Sequence, residues 1–165
     1  MFEPLRPHLP PRAHRAVETV LGALPIRVHV VRPRQTKHGD HRLSPCGRFH
    51  LITVNAGGNA YQFLLTLLHE IAHAMTIRRH GRRAPAHGRE WKAIFGQLLR
   101  DFVALEAFPQ ELNEPVAAHA RRPTFSSSAD PALQRVLRIY DVGDLRPTVE
   151  ELARGNASRW TEGRR

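Results

Sequence analysis

Apolar residues recur at helical spacing over residues 12–24, through Ala16, Val17, Val20, Leu21 and Leu24, and predict an amphipathic helix that Pro25 ends. Residues 26–31 are β-branched and alternate, so a strand is expected there, stopped by Pro33. Residues 37–42 carry the turn pair Gly39-Asp40 and read as a hairpin or a short second strand. A second turn follows at Ser44-Pro45-Cys46-Gly47, and residues 49–54 then alternate cleanly as another strand. A tight loop over 55–59 leads into a long helix over 60–79. Phe63, Leu64, Leu65, Leu67, Leu68, Ile71, Ala72, Met75 and Ile77 make that helix apolar nearly all round, which places it in the interior. Its second half nevertheless holds His69, Glu70 and His73. After a loop over 80–86, a helix over 87–105 is amphipathic through Trp91, Ile94, Phe95, Leu98, Leu99, Phe102 and Val103. Residues 109–131 contain Pro109, Pro115, Pro123, Pro131 and a run of three serines, and read as an extended or mobile connection. Short helices are expected over 132–140 and 149–153.

These elements make an α+β domain, with its core over about 12–105 inside a unit of 1–108, followed by an irregular extension over 109–165. At 165 residues the chain can bury one substantial core but not two. Its single cysteine, Cys46, forms no internal disulfide and excludes a cysteine-based zinc ribbon; it reads as an ordinary turn thiol. The first residues lack the continuous apolar stretch of a signal peptide. The longest apolar region, 63–77, is interrupted by His69, Glu70 and His73, so it is no membrane span. A soluble cytoplasmic protein is expected, with the nucleoid as an alternative location and a monomer assumed.

Charge changes the picture. Lys plus Arg number 25 against 15 Asp plus Glu, a net charge of +10, and the pI is about 11.3. Such a chain favours polyanionic partners, nucleic acid before anionic membrane. The base is almost all arginine, 23 against 2 lysines. Guanidinium suits bidentate phosphate contact, but GC-rich codon use also raises arginine, so position has to decide. Residues 1–60 carry nine basic and three acidic side chains, 61–100 seven and two, and 101–165 nine and ten. The excess therefore lies around the histidine-bearing helix. Arg78, Arg79, Arg82, Arg83, Arg89 and Lys92 are the candidate contacts to single-stranded or damaged DNA.

His69-Glu70-Ile71-Ala72-His73 has the form H-E-x-x-H. Residues i and i+4 share a helical face, so two imidazoles reach one tetrahedral zinc ion. Glu70, one step round, falls beside the metal as a base for a water whose pKa the metal lowers to about 7. Random placement of this chain's histidines and glutamates gives roughly 0.04 such matches. Two histidines and a glutamate buried without a metal are expensive, because an unpaired buried carboxylate costs several kcal/mol. Candidates for the third ligand are His87, in His87-Gly88-Arg89-Glu90-Trp91, with Glu90 and His80 as alternatives. His8, His14, His38 and His41 read as solvated, His29 and His50 as strand residues, and His119 as part of the irregular segment.

Over about residues 25–105 the chain resembles the SprT-like family of zinc metallopeptidases, which includes the Spartan proteases that clear DNA–protein crosslinks. The resemblance rests on a strand ending Thr53-Val54-Asn55, on Thr66-Leu67-Leu68-His69-Glu70-Ile71-Ala72-His73-Ala74, and on His87-Gly88-Arg89-Glu90-Trp91-Lys92. It implies a minimal zincin-like fold, in which a small antiparallel or mixed sheet packs on the H-E-x-x-H helix and a second ligand-bearing helix. It further implies one zinc ion on His69, His73 and His87, with Glu70 as catalytic base. Many bacterial members carry a four-cysteine zinc ribbon, which this chain lacks. Peptide deformylases share the H-E-x-x-H helix, but Cys46 stands in a different context and their Gly-rich motif is missing.

The expected function is hydrolysis of peptide bonds in a protein substrate, with residues 49–54 as an edge strand for the substrate chain. Tyr61, Tyr140, His119 or a nearby arginine would stabilise the tetrahedral intermediate. The competing expectations are a basic DNA-binding protein with a structural zinc ion and a metallopeptidase with no link to DNA.

Overall fold

The computed structural model describes residues 2–125 and 129–141. The chain opens with 3-10 turns at Glu3–His8 and Pro11–Ala13, then α1 (His14–Gly22). The strands follow as β1 (Ile26–Val31), β2 (Gly39–Leu43) and β3 (His50–Asn55). They form one mixed sheet in the order β1-β3-β2, with β1 parallel and β2 antiparallel to β3. Together with the helices this is a small α+β fold.

The sheet order corrects one expectation. Residues 49–54 do not provide an edge, because β3 is paired on both sides. The outer strands are β1 and β2, and β2, in register from Gly39 opposite Val54 to Leu43 opposite His50, is the one that packs on α2. To reach that side from the end of β1, the chain over 32–38 passes the end of β3, and Asn55 holds it there. The Asn55 backbone N–H donates to the His38 carbonyl at 2.8 Å. Its Nδ2 donates to the carbonyls of Arg34 (3.1 Å) and Lys37 (2.8 Å), and its Oδ1 accepts from Arg34 Nε at 2.9 Å. One buried amide thus satisfies an irregular crossing that could not pair with a strand.

Helix α2 (Ala60–His80) starts at Asn59, whose side chain accepts from the Gln62 N–H at 2.8 Å. This is a regular N-cap. The same side chain donates to the Leu137 carbonyl at 3.0 Å, which ties the helix start to the end of the described chain. On one side α2 packs on β2 and β3, and on the other on α3 (Arg89–Ala104). Leu64, Leu67, Leu68, Ile71 and Ala72 are fully buried between them. The all-round apolar pattern of 60–79 is this sandwiched position.

The first half of the segment expected as an extended connection is instead helical. Residues 109–131 contain α4 (Gln110–Arg121), and α5 (Pro131–Leu137) follows. The prolines delimit the helices rather than breaking them: Pro109 caps α4, Pro123 follows its end and Pro131 opens α5, while only Pro115 lies inside. Leu112, Val116 and Ala120, at four-residue spacing, are buried in the same cluster as Ile52, Leu64, Leu133 and Leu137. The core therefore continues past residue 108. Helix α4 approaches α3 so closely at Gly96 that a Cβ there would lie 2.5 Å from the Ala120 carbonyl oxygen. The helix expected over 132–140 is α5 and a 3-10 turn at Arg138–Tyr140. The helix expected over 149–153 lies outside the described residues. No described helix is long and apolar enough to cross a membrane.

Leu112→Ala should cost about 2–5 kcal/mol in urea unfolding, as for a fully packed leucine. Gly96→Ala should also destabilise, by forcing α3 and α4 apart. An unchanged unfolding midpoint in both variants would return residues 110–121 to a loosely attached connection.

Candidate metal centre

His69 and His73 stand one turn apart on α2, and His87 reaches them from the loop before α3. The Nε2 atoms lie 3.2 Å apart between His69 and His73, and 3.1 Å from His87 to each. They form the one three-residue metal-ligand cluster among the described residues. The loop places His87 at a conformational cost. A turn closed by the Gly88 N–H on the Pro85 carbonyl (3.1 Å) puts His87 at φ 58°, in the left-handed region. Glycine or asparagine is the usual occupant there, so an imidazole is held against local preference. Gly88 keeps the turn tight: a Cβ on it would lie 3.0 Å from the Pro85 carbonyl oxygen. His87 consequently precedes α3 instead of opening it, as the sequence pattern suggested.

Trp91 is the wall behind the three rings. It is fully buried, with its ring 4.7 Å from that of His69, 5.3 Å from His73 and 4.6 Å from His87. Phe95 packs on both Trp91 and His69. This apolar backing disfavours protonation. Burial, then the neighbouring imidazoles, push the His69 pKa down to about 3 and that of His73 to about 4, and burial also lowers His87. All three rings are neutral at pH 7, with lone pairs available. Protons on Nε2 cannot satisfy three mutual contacts of this length at once, whereas one cation can. Tetrahedral ligands at ~2.0–2.1 Å from an ion sit ~3.3 Å apart, close to the spacing here. His69, His73 and His87 could thus hold a metal ion.

Glu70 is buried beside the triad against the first residue of β2. A Cβ on Gly39 would lie 2.6 Å from Glu70 Oε1 and 2.8 Å from Thr66 Cγ2. Burial, reinforced by the Asp40 charge and opposed by Lys37 and Arg34, raises the Glu70 pKa to about 8. A cation on the triad would pull it back down. The cleft opens on both sides of this carboxyl. One lobe, about 510 Å³, lies between Lys37–Gly39 and Leu65, Thr66, Phe95 and Phe125. The other, about 460 Å³, lies between Asp40–His41 and Thr76, Arg82 and Pro85. His69, Glu70 and Gly39 line both.

Of the alternative ligands, neither Glu90 nor His80 joins the cluster, and Cys46 lies in the turn after β2, at the end away from Gly39. Arg78, Arg79, Arg82, Arg83, Arg89 and Lys92 are all exposed, and none has an ion-pair partner among the described residues. Only Arg82 of the six lines the cleft. Tyr61 packs on Tyr140 near the start of α2, and the Tyr140 hydroxyl donates to Glu111 at 3.3 Å. His119 is buried behind Phe95, with Nδ1 2.9 Å from Asp130 Oδ2. None of these three lines the cleft.

Two cleft residues differ from their appearance in the sequence. Gly39 reads as a turn glycine, yet it gives the space that Glu70 occupies. His41 reads as solvated, yet it lines the cleft and its ring lies 6.0 Å from that of His73, nearly parallel. The available signal was the period of two in Gly39, His41 and Leu43, which puts all three on one face of a strand. In comparisons with protein-family models, curated proteins and solved structures, nothing matches this chain.

The protein should bind one divalent ion per chain, and His87→Ala should lose most of it by elemental analysis; full retention would exclude His87 as a ligand. The metal-free protein should show a stability maximum near pH 6.5. Below it, unfolding lets His41, His69 and His73 take up protons that the fold refuses, so stability falls as pH drops from 6.5 towards about 4. Above it, the raised Glu70 pKa acts oppositely: its contribution is complete below 4.5 and is lost as pH rises through about 8. Thermal melts of metal-free Glu70→Gln should lack that alkaline decline.

Proposed function

We propose that this chain is a zinc-dependent metallopeptidase with a zincin-like fold of the SprT-like type, acting on proteins associated with DNA. The reading is carried by one observation: three convergent imidazoles and a buried glutamate share a cleft bounded by an outer strand. Three nitrogen ligands with a position left open suit zinc in a catalytic role, whereas structural sites are closed by a fourth protein ligand. Held there, zinc supplies a Lewis acid for the scissile carbonyl and acidifies the attacking water.

The chain's own residues do the rest. The free edge of β2 pairs with an extended substrate chain, which then runs through both lobes and past Glu70. Glu70 takes the proton from the attacking water on a carboxylate oxygen and returns it to the leaving amine. Gly39 lets the substrate-bearing strand and that carboxylate approach without a clash. Trp91 and Phe95 keep solvent from the back of the imidazoles, which strengthens the electrostatics in the cleft. Arg82 and Arg83 on the loop from α2 to α3, exposed and without an ion-pair partner among the described residues, support a phosphate backbone beside the cleft, with Arg82 at its mouth.

Glu70→Gln should keep the metal and the fold while lowering cleavage of unfolded casein by about 10²–10⁴-fold. Unchanged cleavage would remove Glu70 from the chemistry and favour a structural metal in a DNA-binding protein. Single-stranded DNA at low salt should stimulate the wild type, and Arg82→Glu with Arg83→Glu should reduce that stimulation. Indifference to DNA would leave a metallopeptidase whose charge has another origin.

A further inference from the structure

His41 follows Gly39 by two residues on β2, so the register that presses Gly39 against Glu70 also aims this imidazole into the cleft. It lines the lobe that holds Glu70, His73, Arg82 and His87. Its Nε2 lies 2.8 Å from Nδ1 of His50, a buried residue of the central strand. Its Nδ1 has no partner among the described residues and is not enclosed, so it is accessible from the cleft. A neutral imidazole donates from one nitrogen only, and which one is fixed by the bond that the other makes.

His50 decides it. Its Nδ1 shares one proton with His41 Nε2 across 2.8 Å, and where His50 donates that proton His41 keeps its own on Nδ1, the nitrogen with no partner among the described residues. We propose that His41 donates this hydrogen bond to the substrate carbonyl oxygen as it gains negative charge, with His50 as the positioning residue that sets the tautomer. The assignment rests on the peptidase reading above. Tyr61, Tyr140 and His119 do not line the cleft, and Arg82, which does, is exposed and has no partner among the described residues to fix it. A donor held by strand register and a buried neighbour needs little reorganisation when charge develops, which is where such groups contribute most.

The test compares zinc-loaded wild type with His41→Ala, His41→Gln and His50→Ala, each checked for zinc content and thermal melting. Turnover of a fluorogenic peptide, affinity for a phosphinic pseudopeptide and the long-range proton–nitrogen NMR spectrum of the histidines are measured. His41→Ala should lower kcat by about 10²–10³-fold with KM changed less than about threefold, and weaken phosphinate binding in step. His41→Gln, which keeps an N–H donor, should recover part of both. Wild-type His41 should be protonated on Nδ1, and His50→Ala should lose that preference. Phosphinate affinity indifferent to His41, or a proton on Nε2, overturns the assignment even in an active enzyme. A zinc-loaded wild type that cleaves no peptide overturns the peptidase reading instead, and is seen in a different arm.

Discussion

A carboxyl group and two imidazoles sit in the middle of a helix that is otherwise apolar on every side, and the surrounding structure is arranged around the cost of keeping them there. Buried polar groups must be paired, and a buried carboxylate is the most expensive of all. The Nε2 triangle of His69, His73 and His87 is one answer, since a single cation satisfies all three nitrogens and also stabilises the charge on Glu70. Without a cation the same groups remain neutral, which is what the depressed histidine pKa values and the raised glutamate pKa express. Trp91 makes the choice sharper by excluding water from the inner side, and the left-handed backbone at His87 shows that local strain is accepted to complete the triangle.

The sheet serves the same centre. A strand could approach Glu70 only where no side chain intervenes, and Gly39 is that place. Bringing Gly39 there requires the chain to leave β1, cross the end of β3 and return as β2, an outer strand. Asn55 makes that crossing possible by giving four hydrogen bonds to and from segment 34–38. Two consequences follow from the one topology: the outer strand has a free edge along the cleft, and His41 is carried into the cleft with Gly39.

The sequence made the centre legible and its surroundings much less so. H-E-x-x-H and the His87-Gly88 pair are local patterns, each read from a helix face or a single turn, and the structure brings their histidines together. The long buried helix was equally legible because its apolar residues cover every face. Strand order was not, since the period-two pattern says which residues are strands but not which strand lies outside, and so β3 was given the edge that belongs to β2. Helix α4 was not legible for a different reason. Prolines at Pro109, Pro123 and Pro131 look like a broken segment when counted, whereas by position they are caps and boundaries around Leu112, Val116 and Ala120. The cleft role of His41 depended on that same unknown strand order.

The charge distribution and the centre meet at the loop between α2 and α3, which carries His87 together with the exposed Arg82 and Arg83, so any polyanion drawn to those arginines lies beside the cleft. All of the proposed chemistry depends on the metal. X-ray absorption at the zinc edge, on protein purified without chelators, tests it directly. The predicted spectrum has three imidazole nitrogens and one oxygen ligand at ~2.0–2.1 Å. A protein that carries no metal even after reconstitution, or one whose metal shows no imidazole scattering, would contradict it.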